Sequence, residues 1–415
     1  MKVVQLKLRN FRNIKETVLY PDAGLNFLYG ANGQGKTSFL EALGLLSTLR
    51  SFRESKTQHF IQWGMEDAEI SCALTSANEQ IESWRTDLRI YFHWTDSHRE
   101  KASKVAFINS KSYKSSTLYL SQRFGTVQLG LHSVIFNPSD HDLVRGDPSV
   151  RRAFIDRVIS AENIEYLRNL QRYQRVLVQR NALLKNQELR SKQSLIEFNE
   201  QLSQYGSYLI LERLKWLQKA NLLLNHTLKR IAPQQPVLKL EYLSQSVELD
   251  LIKLNDIIEL ESLHFTGQAP LPSLELLEQS LLRKLSTFEV AELKVGHSLV
   301  GPHRDDWMFL FGGQVLKGHG SQGEIRSALL SLKLTELELF QKTTGHRPLF
   351  LLDDFSSELD DQRRSFLLKY LMETELQTFI TTTDESKSLG KKFWVINGKV
   401  EEGQYDSRRE NVRSE

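Results

Sequence analysis

The chain contains a single cysteine, Cys72, so neither an intrachain disulfide nor a cysteine metal site within one chain can be built. No run reaches the ~20 apolar residues needed to span a bilayer. The first eight residues alternate apolar and polar like a strand and lack a signal peptide's continuous apolar core. These absences predict a cytoplasmic protein with no membrane association. Charge of one sign is also lacking: 54 Lys and Arg stand against 51 Asp and Glu, a formal net charge of +3. Any surface for nucleic acid must therefore be local. No Asn-Lys-x-Asp segment for reading guanine is present, which argues against a GTPase. The chain does have length and apolar content: 415 residues, 40% hydrophobic and 25% charged, predict about two globular domains.

Gly30-Ala31-Asn32-Gly33-Gln34-Gly35-Lys36-Thr37 fits the phosphate-cradling pattern G-x-x-x-x-G-K-[ST]. Residues 25–29 read as a short buried strand before it, and Ser38 to Leu43 as the start of an amphipathic helix after it. Strand, glycine loop and helix are the context the pattern requires. Glycines let backbone N–H groups close around an anion, and the helix N-terminus adds partial positive charge. The candidate nucleotide contacts run from Gly30 through Ser38. Lys36 would reach the β- and γ-phosphates, and the Thr37 hydroxyl would hold Mg²⁺.

Strands are predicted at 3–8, 18–20, 25–29, 68–74, 88–94, 105–108 and 134–136, several with period-two alternation. An antiparallel layer accompanying a parallel sheet follows. After Pro148 the texture becomes helical. Apolar residues recur at helical spacing from Arg151 to about Lys185, and again through Leu195, Phe198, Leu202, Tyr205 and Leu209. Two long antiparallel helices separated by a polar stretch at 186–194 are expected, the second ending near Pro233. A short helix is expected at 274–285. From Gly301 strands return near 307–311, 349–352, 379–382 and 393–396, with a polar tail from Glu401. The fold class is α/β, with a mixed-sheet nucleotide-binding lobe (1–136 and 297–415) interrupted by a helical arm (137–296).

Two further segments complete a site. Leu349 to Leu352 is an apolar strand running into Asp353 and Asp354, and ligands of open α/β sheets bind at such C-terminal strand ends. Asp353 would hold Mg²⁺, directly or through water, and Asp354 could polarise an attacking water. Ser321-Gln322-Gly323, within the glycine-rich loop 318–326, opens an amphipathic helix and offers a second anion site, with a hydroxyl, exposed N–H groups and a helix dipole. Its place shortly before the aspartate strand suggests an ABC-type signature loop.

The P-loop with Leu40-Glu41-Ala42, then Ser51-Phe52-Arg53, Gly301-Pro302-His303-Arg304-Asp305-Asp306, Ser321-Gln322-Gly323 and Leu351 through Asp360 occur in the order of the motifs of the bacterial RecF family. Phe136-Asn137-Pro138, Arg151-Arg152 and Gln179-Arg180-Asn181 also resemble that family, so the resemblance covers nearly the whole chain. It implies an ABC-type ATPase head related to SMC heads. Such heads pair around ATP, with Ser321-Gln322-Gly323 of one chain closing over the γ-phosphate held by the other. Arg12 matches a position that approaches the nucleotide, Asn137 lies where a Q-loop glutamine is expected, and Asp360 matches a D-loop aspartate. Three departures stand out. Glu324 replaces the usual glutamine, Asp354 replaces the glutamate usual in ABC proteins, and Thr381-Thr382-Thr383 occupies the switch-histidine position.

The resemblance further implies a weak, DNA-stimulated ATPase that acts chiefly as an ATP-switched clamp on duplex or gapped DNA. It would support RecA loading with RecO and RecR in recombinational repair and replication restart. Lys111, Lys114, Arg190 and Lys192 are candidate DNA contacts. Alternatives are a P-loop small-molecule kinase or another ABC-type ATPase. A transporter's energising subunit is disfavoured because Ser321 follows Thr37 by 284 residues (321 − 37).

Overall fold

Among the described residues four strands have every residue buried, and they lie side by side in the sheet that carries the glycine loop. The computed structural model describes residues 2–53, 56–75, 85–124, 130–186, 192–247, 271–355, 359–384 and 390–403. By contact the chain divides into Met1–Asp140 with Arg230–Ala232 and Glu336–Glu415, and His141–Lys229 with Pro233–Thr335. Residues 297–335 thus group with the second unit. Among the described residues no helix is long and apolar enough to cross a membrane.

In chain order the first unit opens with β1 (Lys2–Phe11), β2 (Ile14–Leu19), β3 (Leu25–Tyr29), α1 (Lys36–Thr48), β4 (Asp67–Thr75), β5 (Arg85–Trp94), β6 (Ala102–Ile108), β7 (Lys111–Tyr113), α2 (Ser116–Ser121) and β8 (Ser133–Phe136). Strands β2-β1-β4-β5-β6-β7 form an antiparallel sheet in that order. Alternation explains it: Thr86, Leu88, Ile90 and Phe92 of β5 are all buried, with more exposed residues between them.

The second unit holds α3 (Asp142–Arg145), α4 (Pro148–Glu162), α5 (Ile164–Lys185), most of α6 (Lys192–Ile231), β9 (Leu238–Leu243), α7 (Leu274–Val295), β10 (Asp306–Phe311), β11 (Gln314–Val315), the single turn α8 (Leu316–His319) and the start of α9 (Gln322–Thr344). The first unit then resumes with β12 (Leu349–Leu352), α10 (Asp361–Thr374), β13 (Thr378–Thr382), β14 (Lys391–Ile396) and β15 (Lys399–Glu402). Its second sheet has the order β15-β14-β3-β13-β12-β8, parallel except for β15. Continuous apolar strands suit a sheet covered on both faces.

Helix α1 is not amphipathic as its first residues suggest. Every residue from Ser38 to Ser47 is buried, in a core that joins Leu6, Leu8, Ile70 and Phe92 of the antiparallel sheet to Leu351, Phe379 and Val395 of the parallel one. A helix buried all round is an interior helix.

Several expected boundaries move. The helical run 151–185 is two helices, because the Asn163 side chain accepts from the N–H groups of Glu165 (2.9 Å) and Tyr166 (3.1 Å) and starts a new one. The helix expected at 274–285 extends to Val295. Strands β7 and β9 were not expected, and β10 pairs with β9 and β11 instead of joining the nucleotide-binding sheet. Glu401 belongs to β15. Lys111 and Lys114 are exposed, whereas Arg190 and the segment 356–358 lie outside the described residues, as does the Lys192 side chain.

The second unit is tied by buried polar groups. Arg180, fully buried, donates to Asn199 Oδ1 (2.8 Å), Ser298 Oγ (2.7 Å) and the fully buried Glu292 Oε2 (2.6 Å). The segment 301–306 is a second junction. Asp305 accepts from Tyr242, Ser244 and Ser246 at 2.7–2.9 Å, and Asp306 takes both arms of Arg151 at 2.7 Å. Arg213 binds the Pro302 carbonyl (2.7 Å) and Asp156. Removing one partner of such a pair strands a buried charge. Glu292→Ala is therefore expected to cost about 3–5 kcal/mol, read from urea unfolding. The double substitution Arg180→Met with Glu292→Leu should recover most of that loss. Equal stability of Glu292→Ala and the parent would refute the assignment.

Candidate nucleotide-binding site

The turn between β3 and α1 is shaped by contacts that only a bare backbone permits. Gly30 has φ +153°, and a Cβ there would lie 2.4 Å from the Val395 carbonyl oxygen of β14. On the same side, Gln34 Oε1 accepts from Asn397 N at 2.6 Å and its carbonyl accepts from Gly398 N at 3.0 Å. The β14–β15 hairpin thus supports the loop from outside. Asn13, from the β1–β2 turn, donates to the Gly33 carbonyl (3.3 Å) and accepts from Ser38 Oγ (3.3 Å).

Lys36 donates to the carbonyls of Gly30 (2.6 Å) and Ala31 (2.9 Å), so its ammonium is folded back over the loop. Burial lowers its pKa, opposed by the nearby carboxylates of Asp354 and Asp353. Thr37 Oγ1 donates to Asp353 Oδ1 at 2.9 Å. Asp353, at the C-terminal end of β12, also accepts from Thr381 Oγ1 at 2.7 Å, and that same hydroxyl accepts from Asp354 N at 2.9 Å. Asp353 has a raised pKa because burial penalises its charge, although the Thr381 and Thr37 hydroxyls counteract this. Asp354 sits at φ +56°, a left-handed conformation that aspartate tolerates better than most residues.

Arg12 also has a left-handed backbone, with φ +57°. Its guanidinium is bidentate to Glu41 (2.6 and 2.9 Å) and donates to the His59 carbonyl (3.2 Å). Glu41 is fully buried, accepts from Ser51 Oγ (2.5 Å) and lies 3.7 Å from Arg53. A cleft of about 1110 Å³ is lined by Arg12, Lys36, Thr37, Asp353, Asp354 and Thr381, among others, and is ample for a nucleotide.

Not every expected residue meets here. Asn137 is buried with Oδ1 accepting from Ser139 N (2.8 Å), and it is the next residue, Pro138, that lines the cleft. Ser321, Gln322 and Gly323 belong to the other unit. There Ser321 N donates to Glu324 Oε2 (2.7 Å) and Glu324 N to Ser321 Oγ (3.3 Å), a capping box that gives the unusual Glu324 a local role. Asp360 caps α10 by accepting from Arg363 N (2.9 Å). Sequence reading missed Thr381 and Glu41 as site residues. A carboxylate inside an apolar helical run was the available signal for Glu41. For Thr381 the signals were its place at a strand end and in the segment at the switch-histidine position.

A family model described as the RecF/RecN/SMC N terminal domain matches residues 2–393. The DNA replication and repair protein RecF of Geobacter metallireducens is 33% identical over 386 residues, covering 93% of this chain and 94% of that protein. The chain belongs to the RecF family. RecF of Latilactobacillus sakei is 32% identical over 413 residues, covering 97% of this chain and all of that protein. The solved structure of the recombination mediator protein RecF-ATP in the RecFOR pathway superposes with a TM-score of 0.81 at 30% identity, covering 97% of each chain. An Smc head bound to the C-winged helix domain of ScpA, at 13% identity and TM-score 0.54, shares the fold. The architecture is thus the ABC/SMC-type ATPase head, and the RecF family supplies the setting for Thr381. Thr381→Val is expected to lower phosphate release from ATP about tenfold, the scale of one lost hydrogen bond to a charged group, and Thr381→Ser to retain it. Unchanged turnover in the valine variant would show that the hydroxyl does not set the two aspartates.

Proposed function

We propose that this chain is an ATP-switched DNA-binding protein of recombinational repair and replication restart. Two copies pair around ATP, clamp duplex DNA at a gap, and release it on slow hydrolysis. The observation that carries the nucleotide part is the contact of 2.9 Å between Thr37 Oγ1 and Asp353 Oδ1. Two oxygen ligands at right angles on Mg²⁺, each at 2.0–2.1 Å, are themselves about 2.9 Å apart, so the pair fits the edge of an octahedral site. When bound, Mg²⁺ would neutralise charge on the β- and γ-phosphates.

The protein's own groups do the rest. Loop N–H groups from Gly30 to Ser38 bind phosphate oxygens, and the Lys36 ammonium exchanges its two carbonyl partners for them. Asp354 orients the attacking water, held in place through Thr381. Arg12 adds positive potential at the cleft wall. Ser321-Gln322-Gly323 and Asp360 act across the paired copies, and Asn137 acts through its turn. In this reading the ATP-cycling head is 1–136 with 297–415, and 137–296 is its helical arm. RecF relatives carry the name of DNA replication and repair proteins, and one solved relative is placed in the RecFOR pathway. Those names support DNA repair as the setting and RecO and RecR as partners; gapped DNA, RecA loading as the outcome and weak DNA-stimulated ATPase activity in the cytoplasm complete the proposal.

Two substitutions separate capture from pairing. Lys36→Ala should weaken ATP binding at least about tenfold. Ser321→Arg should leave ATP capture by a single copy intact but abolish the ATP-dependent dimer in sedimentation. Normal dimerisation of Ser321→Arg would overturn the composite site. Duplex DNA should bind at least about tenfold more tightly with ATP than with ADP, and affinity should fall steeply with salt as phosphate contacts require. Equal binding with both nucleotides would overturn the clamp.

A further inference from the structure

One side chain of the cleft is used neither by the core nor by the proposed phosphate chemistry. Trp63 is 98% exposed, yet it lines the same cleft as Lys36, Thr37 and Asp353. A large aromatic residue is highly buried on average, so a wholly exposed indole beside a ligand cleft calls for an occupant.

The backbone beneath Trp63 is firmly held. Met65 N donates to the Gln62 carbonyl at 3.0 Å, and Gly64 has φ +82°. That is a type II turn with glycine in the position that demands positive φ, and Trp63 stands at its corner. Both ends of the turn are anchored to the antiparallel sheet. Gln62 N donates to the Asn10 carbonyl at 2.8 Å, Ile61 bridges Phe11, and Trp94 Nε1 donates to the Met65 carbonyl at 3.0 Å. A ring presented on a fixed turn loses little freedom when a flat ligand lies on it.

Phosphates held by the glycine loop leave the base of a nucleotide to lie elsewhere in the same cleft. We propose that Trp63 stacks on that base, an inference that rests on the nucleotide-binding reading of the glycine loop. Stacking uses the π-face every base has, so Trp63 contributes affinity more than choice of base. His59 and Arg99 line the same cleft and could meet its edges, Arg99 while its guanidinium is paired with Glu66.

The test measures binding of ADP and of inorganic tripolyphosphate to the full chain by calorimetry. Trp63→Ala is expected to weaken ADP about tenfold, the lower end of the range for one base on one aromatic ring, and to leave tripolyphosphate within about twofold. Trp63→Phe should hold ADP within about threefold. It should also remove most of the quenching of tryptophan fluorescence that ADP, but not tripolyphosphate, produces in the parent, leaving the part due to Trp94, which lines the same cleft. If Trp63→Ala binds ADP like the parent while Lys36→Ala does not, the indole does not meet the base and the proposal fails alone. It fails equally if Trp63→Ala loses ADP and tripolyphosphate to the same extent, or loses only the ATP-dependent dimer, which would make Trp63 a contact to the second copy. If Lys36→Ala binds ADP as well as the parent, the nucleotide reading itself falls, and the stacking proposal with it.

Discussion

A hydroxyl in the first turn of α1 and a carboxylate at the end of β12, separated by 316 residues of chain, meet at 2.9 Å. Most of the first unit can be understood as what that meeting requires. The glycine loop must bring α1 in at the C-terminal end of the parallel strands, so β3, β12 and β13 must lie side by side in register. Helix α1 must not slide, and burial from Ser38 to Ser47 between two sheets prevents it. Asp353 must also keep its position while desolvated. Thr381, on the neighbouring strand, donates to it and accepts the N–H of Asp354. Hydrogen bonds to a buried carboxylate are what make its burial tolerable.

The second unit solves a different problem with similar means. Its helices are joined to one another by arginines whose charges are matched, Arg180 to Glu292 and Arg213 to Asp156, and to a small three-stranded sheet by Arg151 to Asp306. Replacing such pairs by apolar residues is often neutral or stabilising. Their worth here is directional, since each guanidinium satisfies several groups from different segments at fixed angles. The segment 301–306, which carries strong family resemblance, is one of those junctions.

The glycine loop, the aspartate strand and the capping serine were legible because each is a local pattern whose residue types are dictated by nearby backbone. Strands β3, β12 and β13 were legible for the same reason, being short apolar runs with turn residues around them. Long-range assignments were less so. Nothing in Thr381-Thr382-Thr383 says that one hydroxyl will hold two aspartates from another strand. The break at Asn163 was hidden because apolar spacing continues across it and only the capping bonds reveal it. Strand β9 has no sheet of its own until β10, more than sixty residues later, pairs with it. Helix α1 misled for a simpler reason: six residues sample less than two turns, too few to show that every face is covered.

The support of the glycine loop by the β14–β15 hairpin has a consequence for synthesis. The loop precedes β13 by 341 residues (378 − 37), yet among the described residues β3 pairs only with β13 and β14, and Gln34 is fastened to Asn397 and Gly398. A nascent chain therefore carries the complete phosphate motif without the partners that shape it until β13, β14 and the turn after β14 have emerged. Competence to hold a nucleotide follows the strands that brace the loop, so a chain halted before them is a poor competitor for the ligand of one that has them.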